Sequence, residues 1–179
     1  MHVASFAHPA RNVMMFEIRP GSTVADFGAG SGHYALELAR AVGESGRVYA
    51  IDVQPDLLRR ITNEAGRAGL NTILTIVGDV SVPHGTKLRS RSVSMVLMSN
   101  ILFQIEHKRA TFEEAHRILE PGGHLAVIDW KDMARRLGPS RAHVYSRDEA
   151  IREAQSAHFH YIGDFPAGVH HYGLMFESA

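Results

Sequence analysis

The chain has 179 residues, 45% of them hydrophobic, which is enough for one domain with a full core. Lysine plus arginine equals aspartate plus glutamate at 19 each, so no net charge draws the protein to nucleic acid or to an anionic membrane. The absence of cysteine excludes disulfides, cysteine-ligated zinc and thiol nucleophiles. Neither a transmembrane run nor a signal-peptide pattern is found, so we expect a single cytoplasmic domain over residues 1–179.

Apolar runs alternate with helical patterns along the chain, which is typical of a parallel sheet covered by helices. An N-terminal helix or cap is expected within residues 1–22. Five buried strands are then predicted at 23–27, 47–52, 73–77, 93–98 and 124–129, with helices between them at 31–42, 55–68 and 108–119.

The last third of the chain has a different pattern. Residues 131–145 are expected to form a loop on the substrate side, followed by a helix at 146–157. Strands are predicted at 159–162 and 170–176, and the connector between them is too short for a crossover helix, so they should pair antiparallel. The sequence therefore predicts a doubly wound α/β fold with a seven-stranded, mostly parallel sheet and a C-terminal antiparallel hairpin.

A glycine-rich turn follows the first strand, in the sequence Val-Ala-Asp-Phe-Gly-Ala-Gly-Ser-Gly from position 24. Gly28 permits a tight turn, Gly30 lets a ligand approach the backbone, and Gly32 allows the next helix to begin close to the strand. A dinucleotide fingerprint would have its third glycine where His33 stands. The turn and the helix N-terminus behind it predict a site for a nucleotide-like ligand.

Two acids follow the next strands. Asp52 ends the second strand, where a carboxylate can accept hydrogen bonds from both hydroxyls of a ribose; we favour this role over a cap before Pro55, although both can coexist. Asp79 stands in a Gly-Asp-Val segment after the third strand. Before the fifth strand, Glu-Pro-Gly-Gly at 120–123 is expected to end a helix and turn the chain.

Together these motifs resemble the class I S-adenosylmethionine (SAM) dependent methyltransferases, in a compact bacterial branch similar to quinone-biosynthesis and type 11 small-molecule enzymes. The resemblance implies the strand order 3-2-1-4-5-7-6, SAM as methyl donor and S-adenosylhomocysteine as product. It also implies that Asp79 contacts the adenine. The implied cofactor-binding residues are Asp26, Gly28, Ala29, Gly30, Gly32, Asp52, Val53, Gly78, Asp79, Val80 and Ser99.

The acceptor should lie at the carboxyl ends of the fourth and fifth strands, where ligands of open α/β sheets bind. Where the branch often has histidines, this chain has Phe103 and Gln104, so no general base is predicted there. Arg135, Arg136 and Arg141 form a basic run after the fifth strand, which is usually a solvated face; an anionic group on the acceptor is the alternative interpretation. Candidate catalytic residues are Ser99, Asn100, His107 and His143, although a solvated loop position is favoured over catalysis for the two histidines. Rim candidates are Phe103, Trp130, Arg135 and Arg136.

Other interpretations are weighed beside a small-molecule methyltransferase. The lack of cysteine excludes enzymes that methylate cytosine C5 or arsenite through a catalytic thiolate. A protein or RNA acceptor, a non-catalytic SAM-binding subunit, a homodimer that completes the pocket and, least favoured, a nicotinamide-dependent oxidoreductase stay open. Histidines at 158, 160, 170 and 171 could converge across the hairpin, but without a carboxylate companion we predict no metal.

Overall fold

The computed structural model describes residues 8–131, 140 and 143–179, which contain seven strands and five helices. The strands are β1 (Thr23–Phe27), β2 (Arg47–Asp52), β3 (Ile73–Val77), β4 (Val93–Ser99), β5 (Leu119–Trp130), β6 (Phe159–Asp164) and β7 (His171–Ser178). The helices are α1 (Pro9–Met14), α2 (His33–Val42), α3 (Pro55–Arg67), α4 (Lys108–Ile118) and α5 (Arg147–Ser156). Within these residues no helix is long and apolar enough to cross a membrane.

One sheet runs through the molecule in the order β3-β2-β1-β4-β5-β7-β6, which confirms the predicted fold. The first five strands are parallel, and β7 lies antiparallel between β5 and β6. The chain order reverses between β1 and β4, and this is where ligands of doubly wound sheets bind. Since dinucleotide-binding sheets have a parallel sixth strand instead, the inserted β7 argues against the oxidoreductase interpretation.

The core has two halves, one on each face of the sheet. Phe112 and Ile118 of α4 pack on one face together with Ala150 and Ala154 of α5. The opposite face is covered by α1, α2 and α3, including Val13 and Leu38. Because both faces are covered, the central strands β1 and β4 are almost continuously apolar and buried, as the sequence indicates.

Most predicted bounds differ from the observed ones only at element ends. The helix expected from residue 31 begins at His33, because Gly30 and Gly32 both have positive φ angles that a helix does not allow. The fifth strand is longer than predicted. Val93 pairs with Leu119 and Met95 with His124, so the Glu-Pro-Gly-Gly segment bulges out of β5 between two paired stretches.

Candidate functional site

A cavity of about 630 Å³ opens at the carboxyl ends of β1 to β4. This is the place where the chain order reverses between β1 and β4 and where a ligand is expected. Every residue of the predicted cofactor set lines this cavity except Gly32. The sequence-derived set is therefore gathered in one place, although its contacts to a ligand stay a prediction.

The three glycines of the turn have different surroundings. Gly28 has φ +67°, and a Cβ there would lie 2.5 Å from Cγ2 of Ile101. A Cβ on Gly32 would lie 2.5 Å from Cγ1 of Ile61, so Gly32 is needed for the packing of α2 against α3. Gly30 has φ +52°, and its nearest neighbour would be the Gly28 carbonyl oxygen at 3.7 Å. Only at Gly30 does the missing side chain leave open space for a ligand.

Asp52 fixes the glycine turn from the neighbouring strand. Its Oδ2 accepts a hydrogen bond from the Gly30 backbone N–H at 2.9 Å, and its Oδ1 accepts one from the Gln54 N–H at 2.9 Å. The residue is 8% exposed and borders the cavity. Its carboxylate is thus held in one orientation with its remaining lone pairs available to a ligand.

Polar atoms without a partner among the described residues cluster in the cavity wall. They are Oδ2 of Asp26 and Oδ1 of Asn100, and both residues line the cavity. Burial, and then the negative charge of Asp52, raise the pKa of Asp26 to about 8. Buried polar atoms are nearly always hydrogen-bonded, so this cluster indicates that a polar ligand completes the site.

Tyr34 is a cavity residue that the sequence interpretation missed. Its hydroxyl accepts a hydrogen bond from Nδ2 of Asn12 at 2.7 Å, and the same amide nitrogen donates to the Ala167 carbonyl oxygen at 3.2 Å. The buried Asn12 therefore ties α1 and the β6–β7 connection to α2 beside the cavity. Nothing local in the sequence signals this contact, because the three residues are far apart in the chain.

The segment after β3 forms another wall. Asp79 accepts hydrogen bonds from the backbone N–H and the hydroxyl of Ser81, at 2.9 and 2.6 Å. A Cβ on Gly78 would lie 2.3 Å from the Gly85 carbonyl oxygen, so the chain crosses itself closely here. The turn presents Asp79 at the exposed edge of the cavity, and its contact with an adenine stays a prediction.

Glu114 of α4 accepts hydrogen bonds from the chain that follows Ser81, at His84 and Thr86. Its Oε1 accepts from the Thr86 N–H and hydroxyl, at 3.2 and 2.6 Å, and its Oε2 accepts from the His84 N–H at 3.0 Å. Arg117 pairs with the same carboxylate at 2.8 Å. Desolvation opposes ionisation, but hydrogen bonds from Arg117, Thr86 and His84 outweigh it and lower the pKa of Glu114 to about 2.

Replacing Glu114 by Gln is expected to destabilise the fold by about 3 kcal/mol at neutral pH, because a folded-state pKa below the unfolded value stabilises the ionised protein. This contribution is fully present above the unfolded pKa of 4.5 and is lost as the pH falls towards about 2. Urea unfolding of both proteins at several pH values measures it. Glu113→Gln is the control, since Glu113 pairs with Arg109 in solvent. Equal losses for the two variants would contradict the assignment.

The acceptor-side candidates are only partly brought together. Ser99, Asn100 and Trp130 line the cavity, whereas Phe103, His107 and His143 do not. His107 precedes α4 and lines a separate groove between α4 and α5, and Nδ1 of His143 lies 2.6 Å from Oγ of Ser140. The arginines at 135, 136 and 141 lie outside the described residues.

Asp129 and His171 are two further residues that the sequence interpretation did not place here. Asp129 is buried at the end of β5, where Oδ2 accepts the Leu102 N–H at 2.8 Å and so fixes the loop after β4. Desolvation raises the pKa of Asp129 to about 6, although hydrogen bonds from the backbone of Trp130, Leu102 and Phe103 act in the opposite direction. His171 lines the cavity beside Trp130.

The idea that the C-terminal histidines converge is wrong. His160 lies opposite Glu177 and His171 opposite Trp130, so the hairpin register separates them. Over the residues that the structure describes, no group of three or more histidine, cysteine, aspartate or glutamate side chains could hold a metal ion.

Comparison with known proteins agrees with this geometry. A family model described as "Methyltransferase domain" matches residues 18–177. A SAM dependent methyltransferase from Aquifex aeolicus has a structure that superposes with a TM-score of 0.87 at 27% identity, covering 97% of this chain and 91% of that one.

Curated relatives give a more mixed picture. The ubiquinone/menaquinone biosynthesis C-methyltransferase of Hydrogenovibrio crunogenus is 29% identical over 72% of this chain and 50% of its own length. The arsenite methyltransferase of Halobacterium salinarum is 26% identical over 62% of this chain and 27% of its own. The chain thus spans half or less of the length of these relatives.

Proposed function

Because the chain belongs to the methyltransferase-domain family, we propose that it transfers a methyl group from SAM to a small-molecule acceptor. One observation carries the proposal: the open glycine turn at Gly30 and the carboxylate of Asp52 that fixes it border the same cavity as the unpartnered polar atoms of Asp26 and Asn100. A ligand with a ribose, an ammonium group and an adenine meets each of these requirements.

The residues present fit that ligand. Asp52 would hold the ribose hydroxyls, Asp26 the ammonium group, and the Gly78 to Val80 segment the adenine, with Gly30 leaving room for the backbone approach. When bound, SAM supplies a methyl group already activated by its sulfonium, so the chain's own work is to orient the acceptor and exclude water.

The acceptor is proposed to be organic rather than a soft metalloid. The similarity to an arsenite methyltransferase covers little of that relative, and arsenic(III) is a soft centre that thiolates bind best. This chain supplies no cysteine thiolate. The similarity to a C-methyltransferase of quinone biosynthesis is compatible with a small carbon-rich acceptor.

Calorimetry with S-adenosylhomocysteine, followed by a screen for its release from SAM against pooled metabolites and RNA, tests the proposal. We expect binding, and release only with the metabolite pools. Release with RNA alone would favour a nucleic-acid acceptor, and binding without any release would favour a non-catalytic SAM-binding subunit. Thermal stabilisation by NAD but by neither SAM nor its product would overturn the proposal.

Binding of S-adenosylhomocysteine near pH 7 is expected to release close to one proton. The pKa of Asp26 is raised to about 8 by desolvation and then by Asp52, so the free carboxyl is protonated, and a bound ammonium favours the ionised form. The affinity for S-adenosylhomocysteine should therefore rise about tenfold per pH unit until the pH reaches the Asp26 pKa of about 8. Calorimetry in buffers of different ionisation enthalpy counts the protons; Asp26→Asn should release none, and equal release from both proteins would refute the assignment.

We also propose that the protein is cytoplasmic. A second copy of the chain is the partner proposed to complete the acceptor side of the cavity, as a homodimer. Light scattering of the purified chain at several concentrations, with and without S-adenosylhomocysteine, tests the dimer. A monomer under all conditions would remove it from the proposal.

A further inference from the structure

Gly85, on the connection between β3 and β4, lies directly behind one wall of the cavity. A Cβ on Gly85 would overlap the Asp79 carbonyl oxygen, and a Cβ on Gly78 would overlap the Gly85 carbonyl oxygen. The backbones of these residues are therefore in contact with no side chain between them. Gly78 and Asp79 line the cavity, whereas Gly85 does not. Because the contact is this close, the position of Gly85 determines the position of the turn that forms the wall.

The peptide groups on both sides of Gly85 are held by one carboxylate. The His84 N–H donates to Oε2 of Glu114, while the N–H and the hydroxyl of Thr86 donate to Oε1. Arg117 donates to both oxygens, from Nε and Nη2, at 2.8 Å each. Glu114 is 2% exposed and Thr86 is fully buried, so water cannot replace these hydrogen bonds. Each oxygen of the carboxylate thus fixes one side of Gly85.

Asp79 is the residue that this arrangement positions. Both hydrogen bonds from Ser81 go to Oδ1 of Asp79, and among the described residues none goes to Oδ2. Oδ2 is therefore the oxygen that is available to a ligand. Asp79 is exposed at the cavity edge, so its carboxylate reaches a ligand only as accurately as the backbone of its turn is held.

Building on the proposed function, we propose that Glu114 is a positioning residue for the adenine: acting through Gly85, it holds the Asp79 turn where Oδ2 accepts the exocyclic amine of the base. Groups that bind a ligand must be held within about 0.5 Å by the contacts behind them. A Gln at position 114 has one acceptor oxygen and an NH₂ that cannot accept, so an N–H beside Gly85 loses its partner. The turn then loses its support, while the proposed ribose contact of Asp52 is untouched.

Two ligands that differ only in the base test the proposal. S-ribosylhomocysteine is S-adenosylhomocysteine with a hydroxyl in place of the adenine. For Glu114→Gln at neutral pH we expect S-adenosylhomocysteine to bind about tenfold more weakly and S-ribosylhomocysteine to keep its affinity within about twofold. Calorimetry measures both affinities, by competition where binding is weak. An equal loss for the two ligands, or no loss for either, would overturn the proposal.

A milder pair of variants repeats the test, because Glu114→Gln is itself expected to destabilise the fold. Thr86→Val removes the hydroxyl that donates to Oε1 at 2.6 Å and should weaken S-adenosylhomocysteine binding about threefold, whereas Thr86→Ser keeps a hydroxyl and should bind as the wild type does. Glu113→Gln is the control on the exposed side of α4. A melting curve checks that each variant is folded at the assay temperature. Equal affinities for the Val and Ser variants would contradict the proposal.

A double-mutant cycle tests whether Glu114 acts through Asp79. Asp79→Ala alone changes an exposed residue and should weaken S-adenosylhomocysteine binding about tenfold. In that background the carboxylate that Glu114 positions is gone, so Glu114→Gln should weaken binding further by less than about twofold. Additive losses would show that Glu114 acts by another route and would refute the assignment.

The outcomes separate this proposal from the one on which it rests. Failure of S-adenosylhomocysteine to bind the wild-type protein refutes the proposed function itself. Normal wild-type binding, together with losses that do not depend on the base or that are additive in the cycle, refutes only the role of Glu114.

Discussion

Asp52→Asn is expected to weaken binding of S-adenosylhomocysteine about 100-fold. The carboxylate accepts hydrogen bonds from the backbone N–H groups of Gly30 and Gln54, each at 2.9 Å. It would also accept hydrogen bonds from the ribose hydroxyls. An Asn amide has one acceptor and one donor, so its NH₂ must face one of the two N–H groups. Hydrogen bonds to a charged group contribute about 1.5–3 kcal/mol each, so losing the equivalent of one or two gives about 3 kcal/mol.

The matched control is Asp56→Asn. Asp56 stands in the first turn of α3, close in sequence to Asp52, but its side chain is 78% exposed and pairs only with Arg59 among the described residues. Removing this solvated charge should leave the affinity unchanged within about twofold. Calorimetry on both variants measures the difference, and a melting curve checks that each is folded. Equal affinities for Asp52→Asn and the wild type would remove the ribose role and weaken the whole cofactor assignment.

The grouping of the glycine turn with Asp52 could be predicted from the sequence because its signals are local. Gly28, Gly30 and Asp52 lie at the ends of β1 and β2, and a parallel sheet brings these ends together whatever its details. The strands β1, β2 and β3 have the predicted bounds for a related reason, since each is a short buried run enclosed by turn residues. A local pattern is enough here.

The contact between Trp130 and His171 in the cavity wall could not be predicted in the same way. Trp130 meets His171 only because β7 inserts antiparallel beside β5 in one particular register, and a shift by one residue would turn the imidazole to the other face. Asn12 reaches Tyr34 across α1 and α2, and Glu114 reaches Thr86 across the β3–β4 connection. These pairs depend on packing between elements far apart in the chain, which no periodicity in the sequence encodes.

Gly28→Ala is expected to destabilise the fold by about 3 kcal/mol, while Gly69→Ala costs about 1 kcal/mol. The two glycines have nearly the same φ, +67° and +68°, so the backbone strain of an added side chain is similar. Their surroundings differ. A Cβ at position 28 would lie 2.5 Å from Cγ2 of Ile101, whereas at position 69 nothing lies within 4 Å. The difference between the variants in urea unfolding therefore measures the steric clash alone.

A double-mutant cycle with Ile101→Ala identifies the atom responsible. Ile101→Ala alone should cost about 2–5 kcal/mol because it empties a buried position beside the cavity. In that background the Cβ at position 28 has room, so Gly28→Ala should cost only the backbone strain that Gly69→Ala measures, and the coupling energy should be about 2 kcal/mol. Strict additivity would mean that the turn needs glycine for its backbone conformation and not for its approach to Ile101.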